Sequence, residues 1–235
     1  MTEDTWEAKG IEIRPLQPTD QAFLAALHAR ELSTEFIARL GPSFLCRYHR
    51  AFAASPYATA LVAADKVTGR PVGVLFGTFE NGAHSTHLLC RHGPAMTVLL
   101  LTRAVRDANL AGELLKRRGS RYARAILRLL TTGAHDPPGR GKIRRAGDVG
   151  VLAHVAVDRE YRGQGIGASL VSAFGAEALK AGVNELELVT LPGWLGAGAF
   201  YETLGWRYAG ERTSHSGERF SLYQMYPDAP GRGRV

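Results

Sequence analysis

The stretch "VDREYRGQGIGASLVSAF", residues 157–174, constrains this chain more than any other part of it. An apolar strand pattern, "VGVLAHVAVD" (149–158), runs into a short turn, and glycines follow at 163, 165 and 167. A helical pattern then extends from about Gly165 to about Ala181. A helix start exposes unpaired backbone N–H groups and carries partial positive charge. Glycines just before it let the backbone close around an anion, and Arg162 adds a cation beside them. The expected ligand is a phosphate or pyrophosphate. A dinucleotide fingerprint would need G-x-G-x-x-G directly after its strand, and a nucleotide-triphosphate loop would end in Gly-Lys-Ser/Thr. The spacing G-x-G-x-G, set back from its strand, satisfies neither. Taken alone, the loop reads equally well as an ordinary glycine-rich turn.

The rest of the chain supplies an α/β frame around this loop. "IEIRPL" (11–16) alternates as a strand does, and Asp20 stands where a cap would start a helix over "QAFLAALHAREL". A second helical stretch from Ser33 is broken near Gly41-Pro42 and stopped at Pro56. "TALVAAD" (59–65) and "PVGVLFGTFE" (71–80), joined by "KVTGR", predict an antiparallel pair. After the glycine loop and its helix come a strand over 184–191, a short helix over 197–204 and two closing strands, "GWRYAGER" and "RFSLYQMYP". The tail, 227–235, is expected to be disordered.

"HVAVDREYRGQGIGASLV" resembles the central acyl-CoA motif of the GNAT superfamily of N-acyltransferases. That motif is an apolar strand ending in Ala-Val, a turn with a Tyr-Arg pair, and Arg/Gln-x-x-Gly-x-Gly/Ala, here Arg162-x-x-Gly165-x-Gly167. "AFYETLGW" (199–206) resembles a second signature of the family, a Tyr separated by three residues from a Gly-aromatic pair. The resemblance covers roughly residues 11–80 and 147–226. It implies one domain over 1–235, with a mixed central sheet of about seven strands flanked by helices and a helical insertion between strands 3 and 4. It also implies acetyl-CoA as co-substrate. The backbone of Val155, Ala156 and Val157 would pair with the pantetheine arm. The N–H groups across Arg162, Gly163, Gln164, Gly165, Ile166, Gly167 and Ala168 would hold the pyrophosphate. The sheet would splay between its two central strands, with the thioester in the gap.

Acyl transfer to an amine needs the ammonium deprotonated, the oxyanion stabilised and the thiolate protonated. The resemblance assigns the last task to Tyr201; a tyrosine packed beside Phe200 as core is the plainer reading. For the base, the family positions fall on Val151 and Ala153, neither of which takes a proton. His154 lies one residue on. Strict alternation sends it to the opposite face, although a bulge would re-aim it. Glu187 in the next strand, and Glu35 or His49 in the N-terminal helices, are further candidates, as is a water chain. Trp194 stands about where relatives carry a cofactor-contacting Asn, so that role has no carrier here.

Charge is uneven. Residues 91–145 hold 13 of the 29 basic residues and 3 of the 22 acidic ones, so this segment carries +10 and the remainder −3. It falls within a mostly helical insertion over 85–146, where Arg117, Arg121, Arg124 and Arg128 share one helix face. A solvated basic face explains it most simply. Otherwise it suits an acidic or phosphorylated acceptor. Only one aromatic residue, Tyr122, falls among the basic ones, too little interleaving to make nucleic acid the expected partner. The two cysteines, Cys46 and Cys90, argue for a reducing compartment, and no metal-ligand spacing occurs. The acidic, polar start is no signal peptide, and "PAMTVLLLT" is too short to span a membrane. A cytoplasmic location follows. The expected function is acetyl transfer to a small-molecule amine by direct attack in a ternary complex. A protein or peptide N-acetyltransferase and a non-catalytic acyl-CoA-binding module are the alternatives. Monomer and homodimer both stay open.

Overall fold

The computed structural model describes residues 10–113 and 149–227, except 34 and 215–216. The glycine loop and the 199–206 signature therefore both lie in described structure. The arginine face at 117–128 and the tail from 228 lie outside it.

Seven strands form one mixed sheet in the order β1-β2-β3-β4-β5-β7-β6. They are β1 (Ile11–Pro15), β2 (Ala58–Asp65), β3 (Pro71–Thr78), β4 (Val149–Val157), β5 (Glu185–Thr190), β6 (Arg207–Thr213) and β7 (Arg219–Met225). Only β4 and β5 run parallel; every other pair is antiparallel. The helices are α1 (Gln21–Glu31), α2 (Pro42–Ala53), α3 (Asn81–Arg106), α4 (Ala108–Glu113), α5 (Ile166–Lys180) and α6 (Gly198–Thr203). Gly41 and Pro42 separate a short 3-10 turn, Phe36–Leu40, from α2. Asp20 does precede α1, but its carboxylate makes no cap. It takes a bidentate ion pair from Arg14 at 2.7 and 2.9 Å instead, which ties β1 to the start of α1.

The sheet separates two cores. On one face α5 places Leu170, Phe174 and Ala178 against Leu61, Val72 and Leu75. On the other, α1 and α2 place Leu24, Leu27 and Phe52 against Val62, Val74 and Phe76. Burying an aromatic such as Phe174 contributes about 3 kcal/mol, so these faces fix how the sheet stacks. Part of the segment before β4 has structure of its own. Helix α3 starts at Asn81, earlier than the sequence texture suggested. Met96 and Leu110, from α3 and α4, pack on Leu40 and Phe44. Among the described residues, no helix is long and apolar enough to cross a membrane.

Two irregularities in β4 shape its surroundings. The ladder to β5 covers only Val149↔Glu185, Gly150↔Leu186 and Val151↔Glu187, and then stops. From Leu152 onward, the β4 edge toward β5 carries no ladder partner, which is the splay expected between the central strands. The second irregularity is a bulge. Phe76 faces His154 but Gly77 faces Leu152, so Ala153 is an extra residue. Gly77 is required beside it: a Cβ there would fall 2.3 Å from the Phe174 ring.

Candidate functional site

The open β4 edge leads directly into the glycine loop. Beyond Val157 the chain makes a 3-10 turn, Arg159–Tyr161, held by the Asp158 carboxylate on the Glu160 N–H at 3.4 Å. Gly163 and Gly165 follow with φ of 75° and 78°, a left-handed backbone that side chains disfavour. These two reversals aim the first turn of α5 back at the strand end. Ser169 N–H is bonded to Gly165 O, so the N–H groups of Ile166, Gly167 and Ala168 precede the first bonded turn and are free to face an anion.

A cavity of about 660 Å³ lies between these parts. Val155–Val157, Arg162, Gly163, Gly165–Ala168, Ala197, Phe200 and Tyr201 line it, with Glu31 and Leu32 from the end of α1. The structure thus brings together every residue expected to hold a cofactor except Gln164. The Gln164 side chain turns away, toward the Glu160 carbonyl at 3.5 Å. Arg162 makes an ion pair with Glu31 and donates from Nε to Val157 O at 3.2 Å. Arg30 and Arg159 also reach Glu31, at 2.7 and 3.2 Å. Arg30 also reaches Asp158 at 3.3 Å, as Arg70 does at 3.7 Å, so in these ion pairs two carboxylates meet four guanidiniums and the net charge is positive. Arg30, Arg159 and Arg162 hold the Glu31 carboxyl below its usual range against the opposing effect of burial.

Tyr201 sits at the inner end of the cavity, 7 % exposed, beside Phe200 and Trp206. Burial, helped by the negative charge of Glu35, pushes its phenol up to about 12. It therefore stays protonated at neutral pH and can donate a proton.

His154 is the residue that strict alternation misplaced. The bulge at Ala153 puts Ala153, His154 and Ala156 toward the α1/α2 side, while Leu152, Val155 and Val157 pack on the α5 side. The imidazole there joins a chain of polar groups. Its Nε2 lies 2.9 Å from Tyr48 Oη. Its Nδ1 lies 3.0 Å from Glu35 Oε1. Glu35 Oε2 is 3.2 Å from His28 Nε2, and His28 Nδ1 is 3.2 Å from His49 Nε2. Contact with the two imidazoles holds the Glu35 carboxyl near 2, outweighing burial. Burial pushes His49 down to about 3, lowers His28 and raises the Tyr48 phenol. Side-chain ligand atoms of His28, Glu35 and His154 all fall within 4.8 Å of one another. Direct hydrogen bonds already pair these atoms, which makes the group a proton network.

The remaining candidates separate clearly. Glu35 and His49, named in the sequence as acceptor-side groups, belong to this network. Glu187 does not: it is buried at β5 between Arg212 Nη2 and Gln224 Nε2, each at 2.8 Å. Val151 and Ala153 offer no proton acceptor, and Trp194 is 91 % exposed. Sequence reasoning missed His28 and Tyr48. Their signal was weak: each sits within a regular helix, where a buried polar residue is invisible without its partner.

A family model of the acetyltransferase (GNAT) domain matches residues 129–208. No curated protein matches the chain. Among solved structures, aminoglycoside 6'-acetyltransferase type Ii is similar over 94 % of this chain and 99 % of its own, at 13 % identity and a TM-score of 0.55. A GCN5-related N-acetyltransferase from Kribbella flavida is similar over 93 % and 99 %, at 12 % identity and a TM-score of 0.55. The ribosomal-protein-S18-alanine N-acetyltransferase from Escherichia coli is similar over 96 % and 99 %, at 15 % identity and a TM-score of 0.51. At these identities the structures establish the fold alone, a seven-stranded mixed sheet flanked by helices. The stretch that holds the glycine loop and helix α6 thus matches the GNAT acetyltransferase domain, and the seven-stranded mixed sheet built around both is the fold those structures share.

Proposed function

We propose that the protein transfers an acetyl group from acetyl-CoA to the amine of a small-molecule acceptor. The observation that carries this reading is a single cavity with three features. An open strand edge forms one side, a helix start with two left-handed glycines forms another, and a protonated tyrosine lies at its inner end. An extended amide chain can add to the free edge of β4, and its diphosphate then reaches the N–H groups of Ile166–Ala168. Arg162, Arg30 and Arg159 supply positive charge at the mouth.

In this reading the amine attacks the thioester carbonyl directly. A C–N bond forms, and the nitrogen loses its proton to the Tyr48 hydroxyl as that hydroxyl passes its own proton to His154 Nε2. The tetrahedral intermediate collapses with cleavage of the C–S bond, and the Tyr201 hydroxyl gives its proton to the departing sulfur. Cys46 and Cys90 lie in α2 and α3, away from the cavity lining, which favours a ternary complex over an acyl-enzyme. The same cavity suits a peptide amine in its chemistry. The small-molecule reading is favoured because helices α1 to α3 are packed together on the His154 side of the sheet.

The test is release of free thiol from acetyl-CoA by the purified protein with a panel of aminoglycosides, amino sugars, polyamines and N-terminal peptides. Thiol release with a small amine supports the proposal. Release with peptides alone moves the acceptor to the protein class, and tight CoA binding without any release makes the domain a binding module.

A further inference from the structure

We infer that Glu35 is the positioning residue for the base, and that it acts through one hydrogen-bonded chain, Tyr48–His154–Glu35–His28–His49, whose donors all point toward its carboxylate. The inference rests on the reading of His154 as base.

The order of the protons follows from counting donors. A carboxylate only accepts, and Glu35 is met by His154 Nδ1 at 3.0 Å and His28 Nε2 at 3.2 Å. Both nitrogens must therefore carry hydrogen. A neutral imidazole has one N–H, so His28 Nδ1 is an acceptor and His49 Nε2 donates to it at 3.2 Å. Likewise His154 Nε2 holds a lone pair, and the Tyr48 hydroxyl donates to it at 2.9 Å. This assignment uses every hydrogen in the chain. It leaves one buried atom without a partner, His49 Nδ1, and that atom is then a lone pair instead of a stranded donor. His28 and His49 are both fully buried, and a second proton on either would put an extra cation in the core.

The elements involved explain why so many groups are needed. Glu35 lies in the connection between α1 and the 3-10 turn Phe36–Leu40, outside regular structure. Such a carboxylate would be free to rotate. His28, on α1, grips it from the buried side. His49, on α2, holds His28 and stacks on Phe76 with ring centroids 4.4 Å apart. Phe76 in turn pairs with His154 across the β3–β4 ladder, so the chain closes on itself through the sheet. The titratable groups facing His154 are Tyr48 from α2, Glu35 from the connection and His28 from α1, with His49 behind. The chain fixes His154 as the Nδ1–H tautomer and leaves Nε2 as the nitrogen that accepts a proton. When it does, Glu35 stands beside the imidazolium and stabilises it.

The experiment reads the tautomer directly. Nitrogen-15 imidazole spectra of the whole protein at neutral pH, with His154→Gln identifying the signals of that ring, should show hydrogen on Nδ1 and none on Nε2. In Glu35→Gln that preference should collapse, while Glu35→Asp, which keeps the charge, should retain it in part. Turnover of Glu35→Gln should fall about a hundredfold with an unchanged KM for acetyl-CoA. In the His154→Gln background the same substitution should cost nothing more. Hydrogen on Nε2 in the parent protein overturns the inference. So does Glu35→Gln turning over within twofold of the parent, or losing the same factor with His154 already gone. If no acceptor is ever acetylated, the proposed function fails, but the tautomer still decides whether Glu35 positions the ring.

Discussion

The two parts of the proposed site are built in opposite ways. The phosphate side comes from one unbroken run, Val155 to Ala168, in which a strand edge, a turn, two left-handed glycines and a helix start follow each other along the chain. The proton side comes from Tyr48, His154, Glu35, His28 and His49, drawn from two helices, a connection and a strand bulge. In the proposed function backbone geometry does the binding on the first side, whereas side chains converge on the second. A contiguous backbone device tolerates most side-chain changes but not a change of φ. A converging network tolerates backbone drift poorly, and each member depends on the others. The two sides should therefore fail differently when disturbed.

The largest effect is expected at His154. His154→Gln should lower kcat by about 10² to 10⁴-fold, the usual range for a lost general base, with acetyl-CoA affinity nearly unchanged. On the other side, Gly165→Val forces a β-branched residue to φ near 78°. Strain of about 1–3 kcal/mol and a displaced helix start should weaken acetyl-CoA binding about tenfold or more, measured by calorimetry, while the protein stays folded. Arg162→Ala should be milder, about fivefold in affinity, because its side chain is half exposed and two further arginines remain at the mouth. Its loss should also flatten the salt dependence of binding.

The smallest expected effect concerns a histidine outside both sides. His84 on α3 is buried against Phe52, with neither ring nitrogen bonded. Burial lowers it from an ordinary value of 6.5 to about 4. Between these values the unfolded chain binds the proton that the folded one refuses. Its contribution is thus absent above pH 6.5, and stability falls as pH drops through that window. His84→Leu should flatten the decline in urea-unfolding free energy between pH 7 and 5; an unchanged slope would assign the whole effect to the buried pair His28 and His49.

The same contrast explains what the sequence revealed. The glycine loop, the strand before it and helix α5 were legible because each rule acts over a few neighbours: alternation, turn chemistry and a helix start. The mixed sheet of about seven strands and the expected splay came through the resemblance, which those local motifs carried. The base network was legible only in fragments. His154 could be named, but its face depended on one extra residue at Ala153, which pairs with nothing and leaves no mark in the pattern. Glu35 and His49 could be suspected, since polar residues near helix ends are common. His28 and Tyr48 could not, because burial against a distant partner is a property of the folded chain.

The central claim is that the β4 edge and the glycine loop bind acetyl-CoA with their backbone, while the side-chain network around His154 moves the proton. The direct measurement pairs acetyl-CoA affinity with thiol release for two variants, Gly165→Val and His154→Gln. The account predicts that the first loses affinity and the second loses turnover, each leaving the other quantity within about twofold. It is contradicted if His154→Gln weakens acetyl-CoA binding as much as Gly165→Val does, or if it turns over like the parent protein.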